Sequence, residues 1–237
     1  MLIDHSNCRV LDVLASRDKE AVKASLQAGK DSGLLAQLEE VTTDMWEGYV
    51  NATREVFGEH FRVTVDRFHV MKNFQEQLSA ARRAIQRTLP KEEAQALKGS
   101  LWLWLTNAEN LTAGERAELE TLKQRFPALR ALAEQREALR AIFEDQDIRE
   151  ATTGATRLRN WMTQARQLGL KALEKFCGTL ENWLAEIANY FVSRASNGRT
   201  EGFNHGLRAI LWRAFGMRNF AQFRLRVLDR FGHPKTS

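Results

Sequence analysis

Glu40-Val-Thr-Thr-Asp-Met-Trp-Glu-Gly-Tyr-Val-Asn-Ala-Thr-Arg-Glu-Val-Phe-Gly-Glu-His-Phe-Arg-Val-Thr-Val-Asp66 reads as strand, helix, strand. The outer runs, Glu40 to Thr43 and Phe61 to Val65, are rich in β-branched residues, and each ends in an aspartate. Between them, Trp46 to Phe57 has the length and apolar pattern of a helix. A crossover of this kind joins parallel strands, so the two runs are expected side by side and buried. Ligands of such sheets bind beyond the carboxyl ends of the strands, where Asp44 and Asp66 fall. Two carboxylates at one sheet edge are a candidate metal site, and the competing role for each is a helix N-cap or a turn.

Upstream, Leu2-Ile3 and Arg9 to Leu14 alternate around the polar turn Asp4-His-Ser-Asn7, which predicts a hairpin with a very short first strand. Asp18 is placed to cap a helix from Lys19 to about Ala28, and Lys30-Asp-Ser-Gly33 reads as its break. Downstream of Asp66 the period changes. Met71, Phe74, Leu78, Ala81 and Ile85 mark a long helix from Phe68 to Leu89, and Thr112-Ala-Gly-Glu115 is a capping box opening another. Leu173, Phe176, Leu180, Leu184, Ile187 and Phe191 alternate spacings of three and four, a seam expected to pack against the helix from Phe68. Everything from Phe68 to about Arg194 is expected to be helical.

The last stretch begins Ser196-Asn-Gly-Arg-Thr-Glu-Gly-Phe-Asn-His-Gly-Leu207, a loop entering an amphipathic helix that Ser196 or Asn197 is placed to cap. Asn204, His205 and Arg208 follow Glu201 on one face, whereas Phe203, Leu207, Ile210 and Leu211 line another. Gly202 and Gly206 open a stripe where backbone could approach closely. The net charge of +5 is unevenly placed. From Arg194 onward nine basic residues face only Glu201 and Asp229, so this segment carries +7 and the rest of the chain is slightly acidic. A polyanion is the natural partner, with Arg199, Arg208, Arg213, Arg218, Arg224 and Arg226 as candidate phosphate contacts; the plainer alternative is a solvated basic face.

Composition sets the frame. With 43% hydrophobic residues the chain is an ordinary globular one. Cys8 and Cys177 stand alone, which indicates neither a disulfide framework nor a zinc site. No apolar run approaches the roughly 20 residues of a membrane span, and the first residues lack the pattern of a signal peptide, so a cytoplasmic protein is expected.

Val41-Thr-Thr-Asp-Met-Trp-Glu-Gly-Tyr49, Val65-Asp-Arg-Phe-His69, Ser196 to Asn204, Phe215-Gly-Met-Arg-Asn-Phe220 and Phe223-Arg-Leu-Arg226 together resemble the catalytic domain of bacterial insertion-sequence transposases of the ISL-three (ISL3) family. The resemblance runs in order over nearly the whole chain. It implies an α/β, ribonuclease H-like core with a large all-helical insertion, divided as 1–67, 68–193 and 194–237. It implies a DDE triad in which Asp44 is the second acid and Glu201 the third, both holding metal; Asp66 and His69 belong to a neighbouring motif, and Asp66, His69 and Asn204 are candidate supporting residues. Two Mg²⁺ or Mn²⁺ ions, DNA at transposon ends and target, and a homo-oligomer or full-length transposase as partner are implied likewise, in a cytoplasmic, nucleoid-associated setting.

The front of the chain departs from the family pattern. The strand that carries the first catalytic aspartate belongs upstream of the segment resembled by residues 1–14, and Asp4 matches the turn of the following hairpin. The expectation is a chain lacking its amino-terminal part, with two separate strand pairs left where a central strand would join them. Three functions compete: a transposase domain that cuts and joins DNA, an inactive remnant that binds DNA or full-length transposase, and a helical interaction protein.

Overall fold

The computed structural model of the chain describes residues 1–196, 198–214 and 219–233, the side chains of Arg199 and Glu201 excepted. Along them run β1 (Leu2–Asp4), β2 (Arg9–Asp12), α1 (Lys19–Asp31), β3 (Glu40–Thr43), α2 (Glu47–Phe57) and β4 (Arg62–Val65). Eight helices follow: α3 (Arg67–Thr88), α4 (Lys91–Leu97), α5 (Leu101–Leu105), α6 (Ala113–Arg125), α7 (Pro127–Glu144), α8 (Ala151–Gln167), α9 (Lys171–Asn182) and α10 (Leu184–Ser193). The last two are α11 (Gly198–Arg213) and α12 (Phe220–Phe231). The chain divides into two compact units, one of Met1–Asp66 with Ala195–Ser237, the other of Arg67–Arg194.

In the first unit the described strands form two separate two-stranded sheets. Strands β1 and β2 are antiparallel, with Ile3 opposite Val10 and an irregularity between Leu2 and Ile3. Strands β3 and β4 are parallel and in register from Glu40 opposite Arg62 to Thr43 opposite Val65. The crossover expected from the sequence is therefore present. Asp18 caps α1 as its sequence position requires, its Oδ1 accepting from the Ala21 N–H at 2.8 Å.

The pleat sends Leu2 and Ile3 of β1 to opposite sides. Leu2 and Leu14 pack with Val22 and Leu26 of α1 and Ala52 and Val56 of α2. Met1, Ile3, Val10 and Val13 pack instead with Phe203, Leu207 and Ile210 of α11 and Val227 of α12. Helices thus cover the hairpin on both faces. Helices α11 and α12 close on each other at Gly206, where a Cβ would collide with the Phe231 ring. The close approach expected at this glycine is made by a ring, and Gly202 is exposed with nothing against it.

The second unit is all helix among its described residues. Thr112 and Glu115 form the capping box of α6, and Pro127 starts α7 at a position where its missing N–H costs nothing. The seam from Leu173 to Phe191 is buried throughout, but it lies on two helices broken at Trp183. Helix α9 packs against α3 as expected, whereas α10 packs chiefly against α8. A spacing of four between Leu180 and Leu184 continues the period across the break, so the pattern could not reveal it.

Candidate metal and DNA-binding site

The parallel register fixes the first feature of the site. Asp44 and Asp66 each stand one residue beyond paired strand ends, and the Asp66 N–H extends the ladder by donating to the Thr43 carbonyl at 3.1 Å. Adjacent strands lie about 4.8 Å apart, so two acidic residues emerge side by side at the carboxyl edge. Asp66 is only 1% exposed.

Asp44 is not the cap of the helix that follows it. The residue at that position is Trp46, which makes no side-chain capping bond. The Asp44 carbonyl accepts from the Trp46 N–H at 2.9 Å in a tight turn, and the Asp44 Oδ1 is buried with no hydrogen-bond partner. A buried carboxylate oxygen without a donor is costly, by about 1 to 3 kcal/mol or more for a charged group, and native chains retain such groups for a reason. A hard oxygen atom held ready at a strand end suits a divalent cation such as Mg²⁺, which takes only one or two protein carboxylates and keeps several waters.

Two aromatic residues follow Asp44 closely in the chain. The Trp46 and Tyr49 rings meet edge to face at 4.5 Å, and the Arg17 guanidinium lies 5.4 Å from the centre of the Trp46 ring. Burial and then the negative charge of Asp44 push the Tyr49 hydroxyl pKa up, with Arg17 opposing. Gly48 is what lets the indole lie across the start of α2, since a Cβ there would run into it. Arg17, Trp46 and Tyr49 were not singled out by sequence reasoning as site residues, although Trp46 and Tyr49 sit two and five residues after the acid.

The other candidates divide. Glu201 lies in the first turn of α11, and its side chain, with that of Arg199, is outside the described residues, as are Asn197 and Arg218. Ser196 Oγ accepts from the Gly198 N–H at 3.5 Å at the head of α11. Asn204, His205, Arg208, Arg213 and Arg226 are exposed. Arg224 is engaged within the chain: its Nε donates to Asp12 Oδ1 at 2.6 Å, while Ser25 holds the other Asp12 oxygen at 3.1 Å. Arg194 is also structural, its guanidinium donating to the carbonyls of Phe143, Asp145 and Ile148 at 2.6 to 2.8 Å. His69 belongs to the second unit, in the first turn of α3 with its ring 5.6 Å from that of Phe68.

Asp4 sits at the turn of the hairpin, as its place in the sequence suggests. Its carboxylate accepts from the Asn7 N–H at 3.0 Å, from Asn7 Nδ2 at 2.7 Å and from Arg9 Nε at 3.2 Å, pinning the hairpin turn. Burial works to raise its pKa, but the bonds from Asn7 and Arg9 together outweigh it and hold the carboxyl below its ordinary value. Among the described residues no three His, Cys, Asp or Glu side chains cluster as a metal cage.

The chain is similar to known transposases. A family model described as a transposase, of the DDE type named for ISL3, matches residues 1–227. The transposase for insertion sequence element IS1001 of Bordetella parapertussis is 24% identical over 234 residues, which cover 98% of this chain and 56% of that protein. The chain thus spans little more than half the length of the curated relative it matches. No solved structure matches it.

Proposed function

We propose, since the chain belongs to the ISL3 family of DDE transposases, that its α/β unit is the catalytic core of a ribonuclease H-like domain acting on DNA phosphodiesters. The observation that carries this is the buried, unpartnered Asp44 oxygen at the carboxyl edge of the parallel pair, beside Asp66. Asp44 holds the divalent ion together with Glu201, and Asp66 shapes the edge from which Asp44 projects. When bound, Mg²⁺ or Mn²⁺ supplies Lewis-acid stabilisation of the attacking and leaving oxygens in phosphoryl transfer. Tyr49 lies within electrostatic reach of Asp44 on the side of α2. Arg208, Arg213, Arg226 and Arg230, all exposed, bind the phosphate backbone without reading sequence. The resemblance also supports a homo-oligomer or full-length transposase as partner, and the helical unit as an insertion.

One observation favours a second function, DNA binding without cleavage. A DDE centre uses three carboxylates, and Asp4 is committed to its own turn. On this view the chain holds one ion weakly through Asp44 and Glu201 and positions DNA for a further carboxylate supplied from elsewhere.

Both are tested together by titrating duplex DNA at several salt concentrations and assaying strand cleavage in Mn²⁺ with the native chain, Asp44→Asn and Glu201→Gln. Four phosphate contacts give a log-log salt slope of roughly −3.6. Mn²⁺-dependent cleavage lost in both variants supports the enzyme. Salt-sensitive binding without cleavage supports the second function, and salt-independent binding contradicts both.

A further inference from the structure

Trp212 is 81% exposed, the most exposed of the large hydrophobic side chains described. It stands in the last turn of α11, whose other face is occupied: Phe203, Leu207 and Ile210 pack against the hairpin and α12, and Gly206 receives the Phe231 ring. Asn204, Arg208 and Trp212 follow each other at spacings of four, and all three are exposed, so they form one solvent-facing stripe. Arg213, also exposed, is the next residue. Within Gly198–Arg213 Glu201 is the only acidic residue, against Arg199, Arg208 and Arg213.

An indole left in water forgoes a large burial gain, and nothing in the packing of α11 requires a tryptophan there. Its surroundings decide what it would accept. An apolar protein surface would have to desolvate the adjacent guanidinium groups, whereas a nucleic acid offers phosphates to the arginines and a flat π-face to the indole at once. Regular duplex buries its base faces in the stack, so only an unpaired or unstacked base presents one.

We infer that Trp212, flanked by Arg208 and Arg213, is a stacking platform for an unpaired nucleobase, and that this surface binds distorted or single-stranded DNA in preference to regular duplex. The inference rests on the DNA-binding function proposed above and deepens it. Trp212 lies eleven residues after Glu201, close to three helical turns or about 16 Å along the axis.

The test compares binding of one sequence as blunt duplex, as duplex with a central three-nucleotide bulge, and as single strand, in low salt. 2-Aminopurine in the bulge reports stacking. The native chain is expected to bind bulged and single-stranded DNA at least 5-fold more tightly than duplex and to quench the 2-aminopurine. Trp212→Ala is expected to weaken those two complexes about 5- to 150-fold, to abolish the quenching, and to change duplex binding less than 2-fold. Trp212→Phe keeps most of the preference, because the π-face survives. The side chain is exposed, so neither variant threatens the fold.

Equal effects of Trp212→Ala on all three DNAs, or no effect on any while duplex binding stands, would overturn the platform and leave the DNA-binding function intact. Failure of the native chain to bind any DNA overturns both. A shift in oligomeric state on Trp212→Ala with an unaltered DNA preference assigns the indole to a protein contact and overturns the platform alone.

Discussion

Phe74, Trp161 and Phe176 meet edge to face in the helical unit at centroid distances of 4.8 to 6.1 Å, whereas the α/β unit closes on valines, leucines and Phe203 in two small clusters. The largest fully buried side chains, among them Trp104, Phe74, Phe143, Phe176 and Phe191, all belong to the helical unit. Its buried Arg136 donates through Nη2 to the Leu105 carbonyl and Asn107 at 2.6 Å each while its Nε stays without a partner, and Arg194 joins α10 to the loop after α7. The α/β unit keeps an unpartnered carboxylate oxygen at Asp44 and a bare indole at Trp212. The helical unit holds the larger aromatic core. The Asp44 oxygen and the Trp212 indole are the groups to which the proposed functions are assigned.

The contrast makes predictions of decreasing size. Phe176→Ala removes the ring shared by Phe74 and Trp161 and is expected to destabilise the helical unit by about 3 to 5 kcal/mol in denaturant titration. A loss below about 1 kcal/mol would mean that the aromatic cluster is not its core. Next, amides of β1 to β4 are expected to exchange with deuterium through an opening a few kcal/mol easier than that of α3, α8 and α9, since two-stranded sheets of three or four residues are marginal. Uniform protection across both units would break the comparison. The Asp12–Arg224 pair, with side chains 20% and 42% exposed, is expected to show a coupling of only about 0.5 kcal/mol in a double-mutant cycle, shrinking in high salt. Smallest of all is the response of Cys177. Burial pushes its thiol up to about 11, so alkylating reagents at pH 8 should leave it unmodified until the protein is unfolded.

Local physics was legible in the sequence. Asp18 and Thr112 announced their helices because caps act over three residues, and the two β-branched runs announced a parallel pair because an intervening helix leaves no other simple connection. Long-range roles were not. Arg194 and Arg224 looked like members of one basic surface, yet their partners lie 46 to 51 and 212 residues away, beyond any periodic signal. The break at Trp183 was hidden by an uninterrupted spacing of apolar residues. Asp44 was legible as a candidate; what the sequence could not show is that Trp46, and not Asp44, occupies the capping position of α2, which leaves the carboxylate available.

That availability is the central claim, and the most direct measurement is thermal unfolding of the α/β unit with and without Mn²⁺, in the native chain and in Asp44→Asn. The native unit is expected to gain stability as Mn²⁺ rises, following the linkage between binding and folding. Asp44→Asn is expected to be at least as stable as the native chain without metal, because it replaces a carboxylate whose Oδ1 is buried without a donor, and to gain nothing when Mn²⁺ is added. An equal Mn²⁺ gain in both proteins, or a metal-free Asp44→Asn chain that is clearly less stable, would contradict the assignment of Asp44 as a cation-holding residue.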